Sequence, residues 1–582
     1  MGIRDYPKLM HYLILATDYD GTLAKDGKVS ERTFDALKRL QKSGRKLILV
    51  TGRQLEDILL VFPEVTLFDC IVAENGAVIY FPATREELLL GSLPPEKFVQ
   101  TLRSRNIDPL SVGKVIVATW EPNEAEVLNA IREMGLDLQV IFNKGAVMVL
   151  PAGVNKASGL SAALDKMGLS VRNTVAVGDA ENDLSFLKLC ELSVAVANAL
   201  PSVKNEVDWV TEEARGDGVI ELIEKLLTLD LTEDLRESSI LPDRHRIVLG
   251  KLDGDREAYI QPLNRNILLA GISGGGKSTL ATGLIERFID KGYQVCIIDP
   301  EGDYQNFEKG AILGNAQQIP SSVEVLTALS KPEQNLIVNL MGVKIDDRPL
   351  YLAQLLPSLL EMRVRTGRPH WIVVDEVHHM FHADWNAAVT LPQSVSGILM
   401  ITVHPEHVAT SALSLVDTII AVKSPSQTIT DFCKAIGHQL PNDSLPSEIV
   451  AGEGVAWFLK NEDQPFQFQV LPPRQERQRH MRTYAEGNLG CDRCFYFRGE
   501  DNQLNLKAQN LIMFIQLAAG VDDRTWLHHL HLQDYSNWLQ NSIKDETLAK
   551  EVSEIEITRD LSPADSRDRI KIAIEKRYTI PV

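Results

Sequence analysis

The chain has 582 residues, of which 44% are hydrophobic and 24% charged, and its formal net charge is −19. This length exceeds what one hydrophobic core supports, so we expect about three or four domains. No stretch approaches the roughly 20 apolar residues that cross a bilayer, and the first ten residues lack a signal-peptide core. The acidic balance argues against a protein that coats nucleic acid over its whole surface, although a local basic channel stays open. We therefore expect a soluble cytoplasmic protein with no membrane segment.

Residues 11–228 alternate strand-like and helix-like segments, which predicts an α/β domain with a parallel sheet covered on both faces. The predicted strands are residues 12–17, 46–50, 70–73, 174–177, 193–197 and 209–211. Open parallel sheets build their sites at the carboxyl ends of the strands. Polar residues that follow these strands are therefore the first candidates for a functional site.

Two carboxylates, Asp18 and Asp20, follow the first predicted strand and stand just ahead of Gly21. Side chains two residues apart on an extended chain point the same way, and a glycine lets the backbone turn sharply behind them. One carboxylate can then attack a substrate while the other transfers a proton. An ordinary aspartate and glycine turn is the alternative for these residues taken alone.

Further polar groups stand at the ends of later strands or ahead of a helix. They are Thr51 and Gly52, Lys156, and the group Asp179, Asn182 and Asp183. Phosphate chemistry needs what they supply, namely a hydroxyl donor, a cation and acidic ligands for a hard metal ion.

These four signals, in this order, resemble the four motifs of the haloacid dehalogenase superfamily of phosphatases, over about residues 1–228. The triplet Glu74, Asn75 and Gly76 resembles the branch that contains the Cof-type and sugar-phosphate phosphatases. The resemblance implies a Rossmann-like core and an α/β cap domain, at about residues 77–151, that closes over a small phosphorylated metabolite.

The resemblance also implies a role for each matched position. Asp18 would be the nucleophile that forms an aspartyl-phosphate, and Asp20 would be the general acid and then the base for water. The substrate phosphate would be held by Thr51, Gly52, Lys156 and Asn182. The Mg²⁺ ligands would be Asp18, the backbone carbonyl of Asp20, Asp179 and Asp183.

Residues 229–245 are polar and irregular, which predicts a linker. A second α/β domain, residues 246–472, begins with a predicted strand at 266–270 and a P-loop, in which backbone amides cradle phosphates and a lysine reaches the outer ones. The expected ATP-binding residues are Gly271, Gly274, Gly275, Gly276, Lys277, Ser278, Thr279 and Asp375, with Ser278 also a Mg²⁺ ligand.

Asp375 and Glu376 end the apolar run 371–374, which is typical of a Walker B element. Asp375 would lie near Mg²⁺, and Glu376 would polarise the attacking water. His404 follows the apolar run 397–403, where it could sense a γ-phosphate or serve in capping or packing. The histidines 378, 379 and 382, on a predicted helix, are interpreted as structural.

Together with residues 297–304, these elements resemble HerA-type P-loop ATPases over about residues 245–472. The resemblance implies a ring of identical subunits that moves or remodels nucleic acid or protein. A ring needs an arginine from the neighbouring subunit, and Arg363, Arg365 and Arg368 are candidates that no pattern separates.

The last part of the chain combines a basic linker, residues 473–490, with a small all-helical module, residues 491–582. Cys491 and Cys494 are expected to be ordinary thiols because a single closely spaced pair is a weak zinc signal. His528, His529 and His531 have no matching carboxylates in the sequence pattern and are expected to be structural.

The sequence thus predicts a Mg²⁺-dependent phosphomonoesterase fused to an ATP-hydrolysing domain. One alternative is a nucleic-acid end-processing enzyme that joins a 3′-phosphatase to a 5′-kinase, with Asp299 as the kinase base, or to a DNA- or RNA-dependent ATPase. Another alternative is a regulatory assembly in which bound nucleotide gates the phosphatase.

Overall fold

The computed structural model describes residues 10–577, apart from 144, 232–242, 253–255, 264, 273–274, 383–394, 442–444, 460–463, 475–493, 500–503, 544 and 559–560. Among the helices so described, none combines the length and the apolar character that crossing a membrane requires. The basic segment 475–482 and Cys491 lie outside the described residues.

An eight-stranded sheet forms the N-terminal domain. Its strand order is Trp209–Val210, Leu192–Ala195, Thr174–Gly178, Ile14–Thr17, Lys46–Val50, Cys70–Ala73, Val78–Phe81 and Glu86–Leu89. The six predicted strands are present and parallel. A hydrophobic cluster covers each face of the sheet, which explains why its central strands are continuous apolar runs. The flanking helices are Glu31–Lys42, Leu55–Val61, Lys156–Met167, Leu184–Leu189, Pro201–Lys204 and Arg215–Leu229.

The cap begins later than the expected boundary near residue 77. Val78–Phe81 and Glu86–Leu89 pair antiparallel with the core sheet, because a tight turn at Glu74–Gly76 returns the chain directly beside Cys70–Ala73. The cap has its own antiparallel sheet in the order Leu138–Asn143, Ala146–Pro151, Val117–Trp120 and Ser111–Val112. Its helices are Glu96–Ser104 and Glu124–Met134.

An eleven-stranded sheet forms the second domain. Its order is Glu257–Ile260, Ile247–Lys251, Phe466–Val470, Glu453–Phe458, Thr418–Ala421, Asn266–Ala270, Ile398–Thr402, Trp371–Val374, Val295–Asp299, Leu336–Asn339 and Ala311–Leu313. The last seven strands in this order are parallel. Its helices are Lys277–Asp290, Ser322–Leu329, Arg348–Thr366, Thr410–Leu413 and Pro425–Ile436. Both predicted α/β domains are therefore present.

The C-terminal module contains the helices Leu511–Gly520, Asp523–His531, Asp534–Asn541, Glu546–Glu556 and Pro563–Arg577. It also contains an antiparallel ribbon of Phe495–Phe497 and Leu506–Ala508, whose three-residue strands are too short for a recognisable alternation. His529 has a carboxylate partner after all, because its Nδ1 lies 2.7 Å from Asp534 Oδ2. Cys494 is a buried free thiol.

The first two domains meet through polar groups that are buried between them. The fully buried Glu191 accepts hydrogen bonds from Tyr293 Oη at 2.8 Å and from Arg172 Nη1 at 3.0 Å. His245, at the end of the predicted linker, lies beside Arg172. Burial and the two nearby arginines, Arg172 and Arg244, lower the pKa of His245 to about 2, so it is neutral.

A second set of contacts continues this interface. The fully buried Arg368 donates to the Gly168 carbonyl at 2.6 Å, and His370 Nε2 lies 3.0 Å from Asn173 Oδ1. His370 Nδ1 accepts from the Gln294 backbone N–H, so Nε2 carries the proton and donates to Asn173. The two α/β domains are thereby docked through specific hydrogen bonds.

Glu191→Ala should destabilise the chain because it leaves Arg172, whose side chain is 11% exposed, beside Tyr293 without its carboxylate. The loss of one partner of a buried ion pair costs about 3–5 kcal/mol, so we expect a clear fall in the thermal unfolding midpoint by calorimetry. Glu206→Ala is the matched control, because Glu206 forms an exposed pair with Lys188 and such pairs contribute about 0–1 kcal/mol. Equal midpoints for the two variants would contradict this account of the interface.

Candidate active sites

Neighbouring parallel strands bring the acidic residues of the N-terminal domain together. Asp18 follows Ile14–Thr17, and Asp179 and Asp183 follow the adjacent strand Thr174–Gly178. The Lys156 ammonium lies between two of these carboxylates, at 2.6 Å from Asp18 Oδ1 and 2.6 Å from Asp183 Oδ1. All four side chains are buried, so their charges interact with little screening by water.

The charge states follow from this burial. Burial and the neighbouring Asp183 carboxylate raise the pKa of Asp18 to about 7, although Lys156 opposes the shift. Burial alone would lower the pKa of Lys156, but the attraction of Asp18 and Asp183 outweighs it and raises that pKa. Lys156 is therefore a fixed cation, whereas Asp18 titrates near neutral pH in the metal-free protein.

The three carboxylates fit a hard divalent cation. One oxygen from each of Asp18, Asp179 and Asp183 lies within 4.8 Å of the other two, and an oxygen-only set is what Mg²⁺ prefers. Asp183 is held in place because its Oδ2 accepts from the backbone N–H groups of Asp179 at 3.0 Å and Ala180 at 2.9 Å. Gly21 is required here, since its φ is +89° and a Cβ would lie 2.3 Å from Asp179 Oδ2.

The Asp20 side chain has a partner that the sequence analysis did not assign. Arg53 forms a bidentate ion pair with it, with Nε 2.5 Å from Oδ2 and Nη2 2.7 Å from Oδ1. The two parallel hydrogen bonds of this pair fix the orientation of the Asp20 carboxylate. Arg53 follows Thr51 and Gly52 directly, which is the only signal that the sequence offers for it.

Glu74 connects the core to the cap, and Asn75 connects it to the loop that carries Asp179, Asn182 and Asp183. The fully buried Glu74 carboxylate accepts three consecutive backbone N–H groups of the cap, at residues 114–116, over 2.8–2.9 Å. Asn75 Oδ1 accepts from Asn182 Nδ2 at 3.3 Å, and the Asn75 N–H donates to the Thr51 carbonyl. Both residues have positive φ, 50° and 55°, so the contacts hold the turn in a strained conformation.

The cap comes close to Gly52, one of the expected phosphate-binding residues. A Cβ placed on Gly52 would meet Met148 Sδ of the cap at 3.8 Å and Asn182 Nδ2 at 3.9 Å. Thr51 is buried beside it, with its Oγ1 accepting from the Arg53 N–H. Gly52 and Asn182, two of the expected substrate-binding residues, therefore lie close together beside Met148 of the cap, which carries no local sequence signal.

The P-loop of the second domain leads from Asn266–Ala270 into the helix Lys277–Asp290. Gly271 and Gly276 have φ of 151° and 87°, the second of which places the backbone for the helix start. Lys277 Nζ lies 3.4 Å from the Ile272 carbonyl. Gly275 belongs to the loop, whereas Ser278 and Thr279 belong to the first helical turn. Gly274 lies outside the described residues.

The carboxyl edge of the same sheet holds the other expected nucleotide-site residues. The buried Asp375 follows Trp371–Val374 and accepts the Glu376 N–H at 2.9 Å. The strand Ile398–Thr402 separates this strand from the P-loop strand, and His404 follows it. His378 lies on a short 3₁₀ turn, Val377–His379, and not on the regular helix that we predicted.

Two of the three arginines considered for a ring contact are internal. Arg363 is 6% exposed and donates to the carbonyls of Pro369 and Ser396. Arg368 is fully buried in the interdomain contact described above. Neither side chain can reach a neighbouring subunit in this arrangement, whereas Arg365 is exposed.

Comparisons with known proteins match two parts of this chain to known families. The family model described as haloacid dehalogenase-like hydrolase matches residues 15–106 and 96–223. The model described as the central domain of helicase HerA matches residues 247–371.

Among known proteins, the chain is similar to the phosphoglycolate phosphatase of Methanothermobacter thermautotrophicus, with 30% identity over 221 residues, 37% of this chain and 98% of that protein. It is also 30% identical over 230 residues to phosphoglycolate phosphatase 2 of Saccharolobus solfataricus, covering 37% and 93%. A crystal structure of a haloacid dehalogenase-like hydrolase from Bacteroides thetaiotaomicron is 24% identical, with a TM-score of 0.33, and covers 37% of this chain and 99% of that one.

The expected resemblance is thus confirmed for both domains. The chain belongs to the haloacid dehalogenase-like hydrolases through an N-terminal domain of the phosphatase type, and it joins that domain to a HerA-like central domain.

Proposed function

We propose that the N-terminal domain hydrolyses a small phosphate monoester and that the second domain hydrolyses ATP. The observation that carries the first half is the Lys156 ammonium held between Asp18 and Asp183 beneath the cap. Relatives that are 30% identical are named phosphoglycolate phosphatases, which supports a small phosphorylated acid as the substrate class.

The first step uses the groups around Asp18. An Asp18 carboxylate oxygen attacks the phosphorus, the bond from phosphorus to the leaving oxygen breaks, and Asp20 donates a proton to that oxygen. Lys156 and the Thr51 hydroxyl bind the other phosphate oxygens and offset their charge. Mg²⁺ bound by Asp18, the Asp20 carbonyl, Asp179 and Asp183 would further offset the repulsion between the carboxylate and the phosphate dianion.

The second step regenerates the enzyme. Asp20, now ionised, takes a proton from a water molecule, and that water attacks the phosphorus of the aspartyl-phosphate. The bond to the Asp18 oxygen breaks, and phosphate leaves with its charge still balanced by Lys156. The cap contacts of Glu74 and Met148 exclude bulk water while the intermediate exists.

For the second domain, the match to the HerA central domain and the layout of the sheet edge support hydrolysis. Lys277 and the P-loop backbone bind the phosphates, Asp375 and Ser278 are placed for Mg²⁺, and Glu376 polarises water. A ring of identical subunits would bring the exposed Arg365 of one subunit toward the site of another.

A 5′-kinase is less compatible with the geometry. Asp299 would be its base, but it is fully buried and its two oxygens accept from the backbone N–H groups of Asp303 and Tyr304. It also lies three strands from the P-loop strand, which is about 14 Å at the usual strand spacing. We therefore favour attack by water over transfer to a hydroxyl.

Asp18→Asn should reduce phosphate release by about 10³-fold or more, because an amide cannot form the covalent intermediate. The measurement is phosphate release with Mg²⁺ from phosphoglycolate, sugar phosphates and 3′-phosphorylated oligonucleotides. Asp35→Asn, an exposed aspartate on the helix Glu31–Lys42, is the control and should keep full activity. Undiminished turnover by Asp18→Asn would refute the assignment, and preference for oligonucleotides would favour end processing.

The pKa of Asp18 gives the metal-free protein a distinctive pH dependence. The folded value of about 7 exceeds the ordinary value of 3.8, so the folded state holds an extra proton between these two values. The stabilisation from Asp18 is therefore complete below about pH 4, is lost as the pH rises to about 7, and is constant above that. We expect Asp18→Asn to flatten the fall of the melting temperature over this range in EDTA. Asp35→Asn should keep the wild-type slope, and an equally steep slope in Asp18→Asn would argue against this pKa.

Lys277→Ala should abolish ATP hydrolysis while phosphate-monoester hydrolysis stays within about twofold of wild type, because the two sites use separate residues. Asp18→Asn should show the reciprocal pattern. The measurement is nucleotide turnover and monoester turnover on the same preparations. Persistent ATP turnover in Lys277→Ala would place hydrolysis at another site.

A further inference from the structure

A cluster of two histidines and one glutamate lies beside the proposed nucleotide site and has no part in the functions proposed above. It is centred on His404, Glu406 and His407, at the carboxyl end of the strand Ile398–Thr402. This strand lies between the P-loop strand and the strand that ends in Asp375. The cluster therefore borders the region where the phosphates of a nucleotide are expected.

The backbone turn brings the three side chains together. Pro405–His407 is a 3₁₀ turn that His404 caps, and side chains three residues apart eclipse in this geometry. The His404 and His407 rings are accordingly 4.9 Å apart and tilted by only 31°. His404 Nδ1 lies 3.0 Å from Glu406 Oε1. The turn is anchored, since Thr402 Oγ1 accepts the His404 N–H and the Phe381 carbonyl accepts the Ala409 N–H.

The ligand atoms are close to a metal-binding arrangement. One nitrogen of each histidine and one oxygen of Glu406 lie within 4.8 Å of one another. Bonds of about 2.0–2.1 Å in tetrahedral geometry need ligand atoms about 3.3 Å apart. His404 and Glu406 are 51% and 42% exposed, so small side-chain rotations can close the remaining gap and solvent can fill the open coordination positions.

We propose that His404, Glu406 and His407 form a binding site for a transition-metal dication such as Zn²⁺ or Co²⁺. Two imidazoles and one carboxylate favour a borderline cation over Mg²⁺, which prefers oxygen ligands alone. The two neutral imidazoles and one carboxylate leave the bound cation with a net positive charge next to the phosphate site.

The site has a short connection to the Walker B element. Thr402 Oγ1 contacts both the His404 N–H and His378 Nδ1, each at 3.0 Å, and His378 Nδ1 lies 3.5 Å from Glu376 Oε2. The His404 ring also lies 5.9 Å from the His378 ring, edge to face, so a metal that fixes the His404 ring restrains the histidine beside the residue proposed to polarise water. We expect occupancy to change ATP turnover, an effect that rests on the proposed ATPase activity, whereas the binding itself does not.

The test is a titration of the full chain with Co²⁺, followed by visible absorption, in excess Mg²⁺ so that the carboxylate and nucleotide sites are filled. We expect one equivalent of Co²⁺ with the spectrum of nitrogen ligation and its displacement by Zn²⁺. His407→Ala and Glu406→Gln should each weaken binding at least about tenfold. His438→Ala is the matched control, because His438 is exposed in the same domain outside the cluster, and it should bind as wild type does.

Two results would overturn the proposal. One is the absence of a nitrogen-ligated Co²⁺ spectrum in the wild-type chain, and the other is wild-type affinity in a His404→Ala/His407→Ala double variant. Because these side chains are at the surface, circular dichroism of each variant should match wild type and separates ligand loss from misfolding. A chain that binds Co²⁺ but does not hydrolyse ATP would refute the proposed ATPase and leave the metal site standing.

Discussion

The N-terminal site depends on one buried ammonium. Lys156 places a positive charge between the buried carboxylates of Asp18 and Asp183, and removing one partner of a buried ion pair is costly. The position of this ammonium is itself built by close packing. Lys156 starts a helix whose cap is Asn155, and a Cβ on Gly76 would lie 1.9 Å from the Asn155 carbonyl. The position of the Lys156 charge therefore requires a glycine at residue 76, in the turn after Cys70–Ala73 that packs against Asn155.

The cap and the core are joined by hydrogen bonds as well as by apolar contacts. The Glu74 carboxylate has its charge satisfied by backbone N–H groups of the cap, and the same turn contacts the Thr51 carbonyl and the Asn182 amide. A movement of the cap is thus transmitted directly to residues proposed to bind phosphate. Met148 reaches the same point from the cap sheet, so the contacts of the cap and the proposed substrate contacts share a small group of residues.

The sequence predicts the strands and the acidic groups well because both are local: an apolar run ends, and a carboxylate follows. It does not predict the Arg53–Asp20 ion pair, the contacts of Glu74 with the cap, or the burial of Arg363 and Arg368, since these depend on segments distant in the chain. Two core strands were assigned to the cap for a similar reason. Val78–Phe81 is an ordinary strand, and only its pairing partner shows which sheet it joins.

In each of the two α/β domains, the residues that make the interdomain contact directly precede a strand of the parallel sheet. Asn173 precedes Thr174–Gly178, and His370 precedes Trp371–Val374. Both proposed sites lie at the opposite, carboxyl ends of these parallel strands, so each is about one strand length, roughly 15 Å, from the interdomain contact. The contact therefore does not join the two sites directly. What the covalent fusion provides is one phosphatase domain for every HerA-like domain.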